Sequence, residues 1–292
     1  MSVLPFCKMQ SVGNDFVLVQ LSDLKRVACD ERLPDLARAL CSRRTSIGSD
    51  GLLVLDSQGV GLVLRMFNPD GSEDVCGNGS RCSALYAVRR GWVSASHVIE
   101  HGGRNVSATV HEDGRVSTDG GRANFDPEAV PLDTGLHETE LVEEPVCGVI
   151  GTAVNVGSTH FVSFVDELPD DRTFFAVSPK IEVDPLFPER TSIIYTKIVS
   201  ESELSIRIWE RGAGETLGCG TGASAAAVVA MRRRGFGGEI RVVSKGGETT
   251  VSADSWQGEL LATSSPSEVF SGSVAVSKAR NSSPGGRQVV AR

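Results

Sequence analysis

The chain has 292 residues, 40% of them hydrophobic, enough to bury two domain cores of ordinary size, which argues against a disordered protein. Its 29 basic and 37 acidic residues leave a net charge of −8 without a long basic run, which disfavours a nucleic-acid surface or an anionic membrane and favours a small polar partner. The seven cysteines, Cys7, Cys29, Cys41, Cys76, Cys82, Cys147 and Cys219, form an odd set without close metal-type pairs in a chain too large to need disulfide staples, which fits a reducing cytoplasm.

From Met1 to Lys8 there is no basic leader followed by an apolar run, and the longest apolar stretch, 223–231, is far short of the ~18 residues of a membrane span. A soluble, unprocessed protein is expected. Short apolar segments bounded by Gly, Asp or Ser predict strands at 16–19, 51–55, 62–67 and 204–209, with a further strand at 96–100. Helices are predicted over 33–43, 78–90 and 220–234. The last two follow Cys76 and Cys219 directly and end in basic residues and a glycine, Arg89-Arg90-Gly91 and Arg232-Arg233-Arg234-Gly235, as the helix dipole and a left-handed cap favour. One principal helix per half, set among mixed strands, predicts an α+β fold of two halves. The expected halves are 1–124, joined by a late strand near 266–276, and 125–265, with 277–292 as a polar flexible tail.

The halves are related. Cys76-Gly77-Asn78-Gly79 recurs as Cys219-Gly220-Thr221-Gly222, a separation of 219 − 76 = 143 residues. Gly102-Gly103, followed by Asn105-Val106-Ser107-Ala108, recurs as Gly246-Gly247 and Thr250-Val251-Ser252-Ala253. Duplication therefore supplies one thiol at the start of a helix in each half. A helix N-terminus favours a thiolate, and the glycine-rich turn after it exposes N–H groups to a carboxylate. Inverting an amino-acid α-carbon without pyridoxal needs a base, an acid on the opposite face and stabilisation of an enolate-like carboxylate. The repeated motifs offer all three, and two coupled thiols have no separate pKa values.

Other readings fit less well. Neither Gly77-Asn78-Gly79-Ser80-Arg81-Cys82 nor Gly212-Ala213-Gly214-Glu215-Thr216-Leu217 has the third glycine of a dinucleotide fingerprint, and no phosphate-loop motif is present. A thiol oxidoreductase would place its cysteines close together. His97 and His101 lie about 13 Å apart if 96–100 is a strand, which disfavours a metal pair. Cys82 reads as core, as do Cys7, Cys29, Cys41 and Cys147. A binding protein that keeps the pocket without the chemistry is the non-enzyme alternative.

Four segments carry a family likeness: Gly13-Asn14-Asp15-Phe16, Phe67-Asn68-Pro69-Asp70-Gly71-Ser72, Cys76 to Arg81, and Glu210 to Thr216 followed by Cys219 to Gly222. With them the chain, from about Phe6 to Val276, resembles the diaminopimelate epimerases, members of the pyridoxal-independent amino-acid racemases. The resemblance implies two pseudosymmetric domains, each a barrel-like mixed sheet around a central helix, and a cytoplasmic homodimer without cofactor or metal. It implies Cys76 and Cys219 as acid and base, with His160 and Glu210 near the thiols. Asn14 and Asn68 would hold polar groups of the substrate, the amides of Gly77, Asn78, Gly220 and Thr221 its reacting carboxylate, and Arg211 its distal carboxylate. Two positions depart from the family. Ser158, in Gly157-Ser158-Thr159-His160, and Ser192 stand where the family usually has asparagines that help bind the distal end. A serine is shorter than an amide side chain and offers fewer hydrogen-bonding groups, and each missing hydrogen bond costs about 0.5–1.5 kcal/mol. Another polar amino acid is therefore the alternative substrate.

Overall fold

The computed structural model describes residues 2–58, 61–136 and 139–276; the expected tail at 277–292 lies outside them. The chain divides into two compact units, one running to Thr118 and resuming at Ser265, the other spanning Asp119–Ser264. In chain order the first stretch holds β1 (Ser2–Ser11), β2 (Asn14–Gln20), α1 (Leu21–Val27), α2 (Leu33–Leu40), β3 (Gly51–Gln58), β4 (Gly61–Phe67), β5 (Glu73–Asp74), α3 (Gly77–Arg89), β6 (Ser96–His101), β7 (Arg104–Val110) and β8 (Val116–Arg122). The second unit continues with β9 (Glu144–Val146), β10 (Val149–Asn155), β11 (Thr159–Phe164), α4 (Asp171–Glu182), β12 (Ser192–Ser200), β13 (Glu203–Glu210), β14 (Gly214–Thr216), α5 (Gly220–Arg234), β15 (Gly238–Ser244), β16 (Gly247–Ala253) and β17 (Glu259–Ser264). The final strand, β18 (Ser267–Val276), returns to pair antiparallel with β1.

The two units repeat one pairing scheme. From β1, the neighbours β2, β3, β4, β6, β7 and β8 join in the order antiparallel, parallel, antiparallel, parallel, antiparallel, antiparallel. From β10, the neighbours β11, β12, β13, β15, β16 and β17 follow the same order. Each unit wraps its strands around one helix. Residues 78–87 of α3 are all buried, as are 222–231 of α5. Neither helix has an exposed polar stripe, as expected of a helix surrounded by sheet. The small side chains Ala223, Ala225, Ala226 and Ala227 let the strands approach α5 closely.

The outer faces of the strands are covered as well. In β2, Phe16 and Leu18 pack with α3, while Val17 and Val19 pack with α1 and α2. In the second unit α4 covers Phe161, Ile193 and Tyr195. Burial on both faces gives these strands continuous apolar runs. The sequence predicts three helices, and the described residues hold five. The two additions are α1, only seven residues long, and α4, whose Phe174-Phe175 pair and Pro179 obscure its period; Asp170 caps α4 by accepting from the Thr173 N–H at 2.8 Å. Helix α2 stops at Leu40, short of the expected Arg43. No helix among the described residues is long and apolar enough to cross a membrane.

Candidate active site

Cys76 and Cys219 occupy the same place in their units: each is the N-cap of the central helix, with backbone angles of −137°/115° and −136°/118°. Their carbonyls open the two helices by accepting from Ser80 N–H and Ala223 N–H, both at 2.9 Å. The amides that follow, Gly77 and Asn78 in one unit and Gly220 and Thr221 in the other, belong to a first turn that has no intrahelical acceptors. Gly79 and Gly222 let the first turn sit against the sheet: a Cβ would lie 2.9 Å from Leu53 Cδ2 at the first and 2.8 Å from Ile194 Cδ1 at the second.

In the first unit the side chains around Cys76 form a directed chain of hydrogen bonds. Arg81, buried to 1% exposure, donates to Asn78 Oδ1 and, at 2.8 Å, to Thr118 Oγ1. Asn78 Nδ2 donates to Asn14 Oδ1 at 2.6 Å, and Asn14 Nδ2 donates to Asp50 at 3.3 Å. A guanidinium only donates and a carboxylate only accepts, so the two ends fix both amide orientations. Asp50 is in turn held by Arg43 at 2.7 Å. Neighbouring Asp15 is pushed up by burial, but the hydrogen bonds from Arg43 and Lys8 outweigh this and hold it at about 2. Asn68 begins the turn 68–72 and donates to Ser72 Oγ at 3.1 Å and to Asp74 at 3.4 Å. Cys82, on the inner part of α3, is fully buried, and burial raises its thiol far above the usual range.

In the second unit Cys219 Sγ accepts from Gly222 N–H at 3.3 Å and lies 3.3 Å from the Thr221 hydroxyl, which also accepts from Ser158 Oγ at 3.4 Å. Burial pushes the Cys219 thiol strongly up, and the Glu210 carboxylate beside it adds to the rise; Thr221 and Gly222 oppose it. Glu210 also accepts from Thr216 Oγ1. His160 is fully buried. Its Nδ1 lies 2.8 Å from the Ser158 carbonyl, so Nδ1 carries the proton, and Nε2 is a lone pair without a hydrogen-bond partner among the described residues. Burial brings this ring down to about 4, and Arg211 adds to the shift.

Ser192 pairs with His160 across β11 and β12, and its hydroxyl accepts from the Arg211 N–H at 3.1 Å. It holds the backbone of the Arg211 turn. The Arg211 guanidinium, on an exposed residue, donates to the Glu189 carbonyl at 3.0 Å. Buried Glu182 braces the same turn by accepting from Gly212 N–H at 2.8 Å, Trp209 Nε1 at 2.6 Å and Arg190. Of the residues chosen from the sequence, Asn14, Asn68, Cys76, Gly77 and Asn78 lie in the first unit and the others in the second; Asn14 and Asn78 are hydrogen-bonded to each other, while Asn68 bonds within its own turn and to Asp74. Sequence reasoning missed the supporting residues Arg81, Glu182 and His101. His101 Nε2 accepts from the Cys76 N–H at 3.0 Å. The only sequence signal for it is its place beside Gly102-Gly103, the turn that repeats in the second half.

The fold is shared with solved structures of low sequence identity. A phenazine biosynthesis protein of the PhzF family from Bacillus anthracis superposes with a TM-score of 0.66 at 17% identity, covering 94% of this chain and 100% of that one. A probable proline racemase from Agrobacterium radiobacter gives 0.62 at 14% identity, covering 93% of each chain. Sequence narrows the class. The diaminopimelate epimerase family model matches residues 6–125 and 152–266. The diaminopimelate epimerase of Desulforudis audaxviator is 36% identical over 281 residues, 92% of this chain and 98% of that protein. That of Moorella thermoacetica is 43% identical over 235 residues, 76% and 82% of the two chains. The chain belongs to the diaminopimelate epimerase family.

Proposed function

We propose that this protein is a pyridoxal-independent epimerase that interconverts LL- and meso-diaminopimelate, with Cys76 and Cys219 as the acid/base pair. The observation that carries this reading is the repeat: two cysteines with matching backbone angles cap the two central helices, in a chain of this family. One cysteine, as thiolate, removes the α-proton, and the electron pair left on carbon spreads into the α-carboxylate. The other, as thiol, delivers a proton to the opposite face, and the two have then exchanged protonation states. The first-turn amides of Gly77, Asn78, Gly220 and Thr221 stabilise the charge that develops on the carboxylate.

Burial and Glu210 both favour the protonated form of Cys219, and which cysteine acts as thiolate follows the direction of the reaction. His160 Nε2 serves as an auxiliary acceptor on the Cys219 side. Asn14 and Asn68 bind polar substrate groups, and Arg211 meets the distal carboxylate, where a charge-assisted hydrogen bond is worth about twice a neutral one. Ser158 and Ser192 border this end. The protein acts in the cytoplasm, as a homodimer, on a free amino acid. The second reading, another polar amino acid as substrate, draws on Ser192, whose hydroxyl is engaged by the Arg211 backbone.

The test is α-proton exchange in heavy water, without added cofactor, across LL-diaminopimelate, lysine, ornithine, glutamate and histidine. Deuterium is expected at the α-carbon of diaminopimelate alone. Fast exchange with a monocarboxylic amino acid and none with diaminopimelate would overturn the substrate assignment, and a requirement for pyridoxal phosphate would overturn the mechanism.

A further inference from the structure

The turn joining β6 to β7 reaches the loop that carries Cys76. His101 closes this hairpin opposite Arg104 and is 1% exposed. Its Nε2 accepts from the Cys76 N–H at 3.0 Å, and its Nδ1 lies 3.0 Å from the Leu64 carbonyl of the parallel neighbour β4. A carbonyl only accepts and an amide N–H only donates, so the two partners leave one tautomer: neutral, with the proton on Nδ1. The other side of Cys76 is held too, since its carbonyl accepts from Ser80 N–H at 2.9 Å and Ser80 Oγ at 3.2 Å. Gly102, next in the turn, lies so close to Val75 that a Cβ there would collide with it.

The corresponding turn of the second unit performs a similar task by a different route. There Gly246 N–H donates to the Leu217 carbonyl, two residues before Cys219, at 2.7 Å. In both halves, then, the tip of this hairpin braces the loop that leads into the cysteine. Only in the first half is the brace an imidazole.

We propose that His101 is a positioning residue for Cys76: its neutral ring fixes the main chain of the N-cap, and through it the direction of the sulfur that exchanges the α-proton. This rests on the acid/base role given to Cys76 above. A proton added to Nε2 would set two N–H donors against each other, so acid unseats Cys76 by way of its backbone. Burial keeps the ring below the usual imidazole range, against the Leu64 carbonyl, Asp74 and Glu73, which favour the proton. The charged and titratable groups around it are Glu73 and Asp74 on β5, the Cys76 thiol, Arg104 across the hairpin, and Arg65 on β4, which pairs with Glu73 at 2.7 Å.

The experiment compares the wild type with His101→Phe, which keeps a ring but removes the acceptor, His101→Gln, which restores an acceptor, and Cys76→Ser. For each, kcat and KM for LL-diaminopimelate are measured from pH 4.5 to 8.5, with folding checked by circular dichroism. His101→Phe is expected to lower kcat tenfold or more while KM changes less than threefold, and His101→Gln to recover most of that loss. On acidification the wild type is expected to lose kcat more steeply than His101→Gln, in which protonation of the His101 ring no longer adds to protonation of the catalytic thiolate. If His101→Phe does not fold, the steepness of the acid loss in His101→Gln decides. Wild-type kcat in folded His101→Phe, or an equally steep acid loss in His101→Gln, would overturn the proposal while loss of turnover in Cys76→Ser upholds the role of Cys76. Full turnover in Cys76→Ser would instead overturn that role and the proposal with it.

Discussion

At the scale of single residues, burial keeps the His160 ring and the Cys219 thiol of the second unit in their neutral forms, beside the charged Glu210 and Arg211. His160 shows this most clearly, because the ring is wholly buried, with Nδ1 engaged by the Ser158 carbonyl and its ordinary value brought down to about 4. The unfolded chain binds a proton on this residue below about pH 6.5, while the folded chain does so only near 4. Folded stability is therefore full above 6.5 and falls as pH drops between those values, by roughly 2 kcal/mol from pH 7.5 to 5 for this group. Urea unfolding at both pH values should show that loss in the wild type and a smaller one in His160→Gln. Equal losses in the two proteins would mean that other groups govern the acid side. Ser192 teaches a different lesson. Its sequence position suggests a substrate contact, yet its hydroxyl is used to hold the Arg211 turn, a task that residue type alone does not disclose.

At the scale of elements, each central helix begins where a glycine lets its first turn sit against the sheet. Ala at position 79 would press on Leu53, and Ala at 222 on Ile194. Both neighbours are buried core side chains with little room to yield, so Gly79→Ala and Gly222→Ala should each destabilise by about 1–3 kcal/mol, the usual cost of overpacking. Activity should fall more than stability does, because the displaced turn carries the cysteine. Chemical denaturation together with turnover measures both, and a stabilised, fully active Gly79→Ala would contradict the packing account. These helices were legible in the sequence because the repeated motif, the basic last turn and the closing glycine mark both ends. Helix α4 was not, since Phe174, Phe175 and Pro179 interrupt an amphipathic pattern that only packing against Tyr195 and Trp209 explains. The bracing interactions of His101 and Glu182, and of Arg81 with Thr118, were illegible for a related reason: apart from Arg190 beside Glu182, their partners lie 25 to 37 residues away in the chain, and no local pattern records them.

At the scale of the whole molecule, duplication is the organising fact. It is visible first as two Cys-Gly motifs 219 − 76 = 143 residues apart and again as one strand-pairing order used twice. The chemistry proposed for the chain draws on this repetition, since a base and an acid of the same kind let the reaction run in both directions. The halves are not chemically equal. Arg81, Asn78 and Asn14 order the surroundings of Cys76, whereas Glu210, Thr221 and His160 surround Cys219. The most direct measurement is turnover of LL-diaminopimelate by Cys76→Ser and Cys219→Ser, each shown to be folded. A serine hydroxyl is a far weaker base than a thiolate, so epimerisation should fall by about three orders of magnitude or more in each single variant. Near-normal turnover in either one would contradict the two-thiol account.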